Sequence, residues 1–313
     1  MRIINVRDIC TIQIITIMKV FITGATGFIG TAIVKELLAA GHQVLGLARS
    51  DASARKLIEA GAAVHHGDLE DLESLSKGAA AADGVIHAGF IHDFTRFAEV
   101  CEVDKKAIET IGNVLIGTDR PFIVTSGTAL VSPGRIATED IIPPFNPSWP
   151  RASEQIADAM AVKGVNAAVI RLSPSVHGED DMQGFIPIMV NIAKEKGVSA
   201  YVGDGLNRWN AVHRLDAAHL FRLALEHSRP KDRFHAVAEE SITVKSIAEA
   251  IGKQLNLPVA SVPVASAAEH FGWFAHMAAI DCPASSNWTQ EHLNWTPTRP
   301  SLLADIEKGV YNR

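Results

Sequence analysis

Tyrosine is scarce in this chain of 313 residues: Tyr201 and Tyr311 are the only two, and neither is followed by lysine four residues on. The three cysteines, Cys10, Cys101 and Cys282, are far apart and odd in number. They give no zinc spacing and no disulfide framework, so no metal site is expected and a reducing, cytoplasmic compartment is the default. Net charge is only −6 and no long basic run occurs, which argues against nucleic acid as a partner. No apolar run reaches membrane-spanning length, so no membrane partner is expected either. Internal repeats are absent, and low complexity is confined to Ala79 to Ala82.

What is present is a large core and one informative loop. Hydrophobic residues make up 47% of the chain, which excludes global disorder. Residues 1–17 carry Arg2 and Arg7 before a short apolar segment. They lack a cleavage site and read as a dispensable leader outside the fold. Then comes Lys19-Val20-Phe21-Ile22-Thr23-Gly24-Ala25-Thr26-Gly27-Phe28-Ile29-Gly30. Behind the glycines, Ile29, Ile33, Leu37 and Leu38 recur at helical spacing. The pattern is strand, tight turn, helix. Gly24 turns the chain, Gly27 admits a pyrophosphate, and Gly30 lets the helix lie near the strand. The first helix amides, around Phe28 and Ile29, point where a phosphate would sit. A second strand, Gln43 to Ala48, follows one βαβ unit later. A dinucleotide is the expected cofactor, with Thr26 inside its loop.

The end of the second strand decides which ribose is read. Arg49 there would pair with a 2′-phosphate through its forked charge, and Ser50 would donate to the same group. NADP is therefore expected over NAD. Asp51 keeps NAD open, since a shift of two residues would restore a carboxylate at the ribose. After the third strand, Gly67-Asp68-Leu69 places a carboxylate beside the adenine amino group; the other use of Asp68 is as an N-cap for a helix from Leu69 to Lys77. Small residues follow the fourth strand at Ala88-Gly89-Phe90, so the cofactor can pass closely. A helix is expected from Asp104 to Gly117, and the fifth strand ends at Thr125-Ser126-Gly127-Thr128. The sixth ends at Ser173-Pro174-Ser175-Val176-His177-Gly178. Strands alternating with helices imply a doubly wound parallel sheet with all C-terminal ends on one rim. Thr125, Ser173 and Val176 join the cofactor candidates there. Beyond Gly178 the pattern loosens. Ala265 to Ala279 reads as one helix whose aromatics, with Trp209, suit a core better than a pocket.

These motifs, with Val202-Gly203-Asp204-Gly205 and Val212-His213-Arg214-Leu215-Asp216 behind them, resemble the short-chain dehydrogenase/reductase superfamily in its extended NAD-dependent epimerase/dehydratase layout. The resemblance runs from Met18 nearly to the C-terminus. It implies a Rossmann-type α/β sheet of order 3-2-1-4-5-6-7 and a smaller mixed C-terminal substrate lobe. In domain terms, residues 18–180 would bind the dinucleotide, with a further strand and helix from about 208–240. Residues 181–207 and 241–313 would form the lobe. The resemblance also implies a possible homodimer through the helix after Arg151.

Family members of the usual kind carry a Tyr-x-x-x-Lys pair on that helix. Here the alignment puts Pro147 at the tyrosine and Arg151 at the lysine, so the chain resembles an atypical subgroup without the pair. Arg151 would hold ribose hydroxyls or stabilise an alkoxide, but it is a poor proton donor. A histidine serves better near neutral pH: His92 first, His177 second. Thr128 or Ser126 matches the family's substrate hydroxyl. The expected activity is NADPH-linked reduction of a small carbonyl compound with a non-standard proton donor. The alternatives are a cofactor-binding protein without turnover and a non-redox isomerase or lyase on the same scaffold.

Overall fold

The structure, a computed structural model, describes residues 16–129, 131–143 and 149–311. Most of the expected leader, and Pro147, lie outside them. Strands and helices alternate from the start: β1 (Lys19–Thr23), α1 (Phe28–Ala39), β2 (Gln43–Ala48), α2 (Asp51–Glu59), β3 (Ala63–His66), α3 (Leu72–Ala80), β4 (Gly84–His87), α4 (Phe97–Leu115), β5 (Pro121–Gly127), α5 (Ser153–Val162) and β6 (Asn166–Leu172). The remainder is β7 (Ser175–His177), α6 (Phe185–Lys196), β8 (Ser199–Val202), β9 (Arg208–His213), α7 (Arg214–His227), β10 (Arg233–Ala236), β11 (Glu239–Thr243), α8 (Val244–Leu255), β12 (Val259–Val262) and short helical turns to the end.

Seven strands form one parallel sheet in the order β3-β2-β1-β4-β5-β6-β10. This is the expected Rossmann-type order. Its seventh strand is the tenth in the chain because three short strands intervene. Both faces of the sheet are covered, so its strands are apolar throughout: Val20, Phe21 and Ile22 are all fully buried. One face packs Ile33, Leu37, Phe221 and Leu225 from α1 and α7. The other packs Leu75, Ile108, Ile111 and Met160 from α3, α4 and α5.

The lobe has its own core, built around Trp209, Ile247, Phe271 and Phe274. It contains a mixed sheet, β11-β9-β7, and a parallel pair, β12-β8. Within the mixed sheet β9 is central, pairing with β7 on one side and β11 on the other. Three expectations change. α4 starts at Phe97 rather than Asp104, burying Val100 and Cys101 as well. The single helix from Ala265 to Ala279 is broken, because Gly272 takes φ +58°. The N-cap of α3 is Asp71, which accepts from the Ser74 amide at 3.0 Å, so Asp68 does not cap that helix. Of the aromatic cluster, Phe271, Phe274 and Met277 are buried as core, whereas Trp273 is 61% exposed.

Asp181, just ahead of α6, carries a pH-dependent cost. Its Oδ1 accepts from the amides of Gln183 and Gly184, at 3.3 and 2.8 Å. Its buried Oδ2 has no hydrogen-bond partner among the described residues. Burial pushes its pKa up to about 6, against the pull of those two amides. Between roughly pH 4 and 6 the folded chain keeps a proton that the unfolded chain has lost, so stability falls as pH rises. Asp181→Asn is expected to stabilise the fold by about 2 kcal/mol above pH 6 and by nothing near pH 4. Urea denaturation at pH 4.5 and pH 8 measures this; an equal effect at both would refute it.

Candidate cofactor cleft and active site

The cleft starts at the turn between β1 and α1. Gly24 takes φ +70°. A Cβ on it would lie 2.7 Å from Ala88 O and from the Gly89 Cα, so the two loops meet backbone to backbone. A Cβ on Gly30 would lie 1.9 Å from Gly24 O, so only glycine lets α1 sit against the turn. A Cβ on Gly27 would meet only Gly24 O, at 3.2 Å; its outer side is open. Gly27 caps α1 without a side chain, and the first turn holds no acidic residue. The amides of Phe28 and Ile29 have no partner among the described residues. A smooth backbone cradle, unsatisfied amides and the positive end of a twelve-residue helix together fit a pyrophosphate. Thr26 is half-buried in the same turn. Arg214, at the start of α7, stands over the Phe28 ring with 5.0 Å to its centroid. It adds a cation to the loop, one that sequence reading did not single out.

The residues expected at the adenine half follow β2 and β3. Arg49 follows β2 directly and is exposed, as is Ser50. Ser50 Oγ accepts from the Ser53 amide at 3.2 Å and caps α2. Asp51 is the first residue of α2, where its charge complements the helix dipole. Asp68 Oδ1 accepts from the amides of Glu70 and Asp71, at 2.8 and 3.0 Å, which fixes its loop. Leu69 closes over Gly89: a Cβ there would lie 3.2 Å from its Cδ2.

Arg151 and Phe90 meet at the middle of the rim. The Arg151 guanidinium lies 4.4 Å from the Phe90 ring centroid. Its Nε donates to Ser153 Oγ at 3.0 Å and its Nη2 to Thr125 O at 3.2 Å. Phe90 also packs edge-on to the His92 ring, 5.6 Å away. The His92 pKa is lowered, first by desolvation and then by the Arg151 cation. Thr125 Oγ1 is buried at the end of β5 with no hydrogen-bond partner among the described residues, and Ser126 beside it is half-buried.

Other candidates are drawn into the structure instead. Thr128 is 1% exposed; its hydroxyl donates to Asn210 Oδ1 at 3.0 Å. Ser173 Oγ donates to Ala236 O at 2.8 Å, joining β6 to β10. Val176 sits in β7 against the main core. His177 is fully buried, with Nδ1 2.7 Å from Asp305 Oδ2 and its ring edge-on to His213. As placed, it faces the interior of the lobe. Neither tyrosine is on the rim: Tyr201 lies in β8 beneath Lys245, and Tyr311 is buried. The thiols of Cys101 and Cys282 are buried, which pushes their pKa values up to about 11 and about 12.

Two buried polar systems lie near the rim, neither evident in the sequence, and the first of them reaches Arg151 through Ser153. The first links Thr23, His87, Asp104 and Ser153. His87 Nδ1 is 2.9 Å from Thr23 Oγ1, its Nε2 is 3.1 Å from Asp104 Oδ1, and Ser153 Oγ donates to Asp104 Oδ2 at 2.5 Å. Burial opposes the Asp104 charge, but the bond from His87, the Arg151 cation and Ser153 outweigh it and hold its pKa down. The second centres on Arg171, which is fully buried. It pairs with both carboxylate oxygens of Glu154, at 3.0 and 2.5 Å, and donates to Ile141 O at 2.7 Å and to His235 Nε2 at 3.1 Å. Glu154 stands three residues past Arg151.

With this geometry in hand, similarity to known proteins is decisive. Residues 20–237 match the NAD dependent epimerase/dehydratase family. The chain belongs to that family. An uncharacterized protein of Schizosaccharomyces pombe is 49% identical over 295 residues, 94% of this chain and 100% of that protein. A decarboxylating sterol-4-alpha-carboxylate 3-dehydrogenase of Dictyostelium discoideum is 29% identical over 242 residues, 72% of each chain. Among solved structures, the dTDP-glucose 4,6-dehydratase DesIV from Streptomyces venezuelae superposes with a TM-score of 0.74 at 18% identity, covering 93% of this chain and 95% of that one. At that identity the likeness is one of fold. No helix among the described residues is long and apolar enough to cross a membrane.

Proposed function

We propose that this epimerase/dehydratase-family chain is an NADP-dependent oxidoreductase that reduces a small carbonyl compound. The observation that carries the reading is the junction of β2 and α2. Arg49 stands at the strand end, exposed and without a hydrogen-bond or ion-pair partner among the described residues, while Asp51 is taken up by the helix start. A guanidinium there matches a 2′-phosphate. The DesIV structure holds NAD, and the Dictyostelium relative is named as a dehydrogenase; both support a nicotinamide cofactor for this chain.

Bound NADPH would supply the hydride. The chain's own residues bind and orient. The Phe28 and Ile29 amides take the pyrophosphate, Asp68 Oδ2 takes the adenine amino group, and Arg151 holds the nicotinamide ribose or the substrate oxygen. Negative charge developing on a carbonyl oxygen is stabilised by the Arg151 cation, which works best out of water. His92 is the proton donor. Desolvation first and the Arg151 cation second hold its pKa below the ordinary histidine value, so the protonated donor is lost as pH rises and turnover should fall with it.

NADPH oxidation across a panel of small ketones and aldehydes tests this. A substrate-dependent rate that falls with pH, and drops on the order of 100-fold in His92→Ala, is expected. A second reading is binding without turnover, favoured by the displacement of both tyrosines from the rim. Tight NADPH binding with no oxidation across the panel would select it.

A further inference from the structure

We infer that Thr23, His87, Asp104 and Ser153 are positioning residues that lock Arg151 to the loop carrying the cofactor, so that grip on the nicotinamide half depends on a chain of bonds beneath the sheet rim. The inference rests on the dinucleotide reading above. Its starting point is direction. The Gly89 amide donates to Thr23 Oγ1 at 3.1 Å. Thr23 then donates its own proton to His87 Nδ1, which puts the ring proton on Nε2. That proton goes to Asp104 Oδ1. Asp104 Oδ2 accepts from Ser153, and Ser153 accepts from Arg151 Nε. Each hydroxyl gives one bond and receives one. With the other tautomer, Nε2 would turn a lone pair toward a carboxylate, and the Thr23 hydroxyl proton would have no acceptor within the chain. A His87 ring that accepts at Nδ1 and donates from Nε2 satisfies every link.

The chain also closes on itself. Gly89 begins it, and Phe90, the next residue, stacks under the guanidinium at the far end. Gly89 is the residue against which Gly24 packs. The cofactor turn, the Gly89–Phe90 segment and Arg151 therefore fix one another. All four linking side chains are at most 2% exposed. In such surroundings a missing link leaves an unsatisfied polar group, so the arrangement is held or lost as a unit. A purely apolar filling would pack the same space, as Ala107, Ile108 and Ile111 do on the same helix face as Asp104.

The test uses calorimetric titration of the full chain with NADPH and with 2′,5′-ADP, which lacks the nicotinamide mononucleotide half. Ser153→Ala is expected to weaken NADPH about fivefold to tenfold and leave 2′,5′-ADP unchanged. Ser153→Thr, which keeps the hydroxyl, should restore parental affinity. In an Arg151→Ala background the Ser153→Ala effect should vanish, because Ser153 acts through Arg151. Asp104→Asn, of the same shape, gives the same selective loss and serves if Ser153→Ala does not fold. Equal weakening of both ligands, or an effect that adds to that of Arg151→Ala, would overturn the inference while leaving the dinucleotide reading intact. Failure of the parent to bind either ligand would overturn both.

Discussion

Arg171→Met is expected to destabilise the fold by about 3–5 kcal/mol, the cost of breaking a fully buried ion pair by removing one partner. Methionine replaces the stem of arginine but supplies none of its bonds. Glu154 keeps Arg233, whose Nε donates to Oε1 at 2.6 Å. It loses the bidentate fork, and burial then works against its charge, which Arg171 first and Arg233 second now hold ionised. The carbonyl of Ile141 loses its donor, and so does His235 Nε2. Arg171→Lys should recover little, because one ammonium cannot reproduce a planar fork reaching a carboxylate, a carbonyl and an imidazole together. Urea denaturation with unchanged slope and a lowered midpoint is the expected result. A loss below about 1 kcal/mol would mean that the cluster only breaks even against its desolvation.

The same cluster sets an acid limit. Burial, and then the Arg171 cation, depress the His235 pKa to about 4. The unfolded histidine takes up its proton near pH 6.5, so the folded state binds fewer protons in between. Stability therefore falls as pH drops through that window, opposite in sign to the contribution of Asp181.

Gly30→Ala should abolish useful dinucleotide binding, raising the Kd on the order of 100-fold or more, by forcing α1 away from the phosphate turn. The added methyl would lie 1.9 Å from the Gly24 carbonyl oxygen, and the nearest atoms are backbone, with no flexible side chain to yield. Moving the helix displaces the Phe28 and Ile29 amides from the pyrophosphate. Gly41→Ala is the informative control. That glycine also takes positive φ, at +90°, yet has nothing within 4 Å of a Cβ. It should cost about 1 kcal/mol of stability and leave affinity unchanged. If Gly30→Ala binds NADPH like the parent, the turn is not the phosphate site.

The nucleotide half was legible because its signals are local. Val20 to Ile22 reads as a buried strand from three consecutive residues, and Gly24, Gly27 and Gly30 each answer to one contact. The order of the sheet follows from alternation and handed crossovers. The lobe was less legible, since β7, β9 and β11 are short and pair across long stretches of chain. Gly272 gave a weak sign of the broken helix, which aromatic spacing obscured. At the rim, Arg151 was readable from the pattern, but what holds it was not. Asp104 recurs with Ala107, Ile108 and Ile111 on one helix face, and a carboxylate among buried positions was the available clue. His87 at the end of an apolar strand was its counterpart. Only the packing of α4 against α5 puts them together with Ser153. The partner of His177, Asp305, lies 128 residues on and was not legible in the sequence.

The central claim is that the turn after β1 seats a dinucleotide whose 2′-phosphate meets Arg49. Calorimetric titration of the parent and of Arg49→Ala with NADPH and NADH tests it most directly. The account predicts that the parent prefers NADPH by about tenfold to 100-fold, and that the variant loses this preference while keeping its NADH affinity. Equal affinity of the parent for both cofactors, or no binding of either, would contradict it.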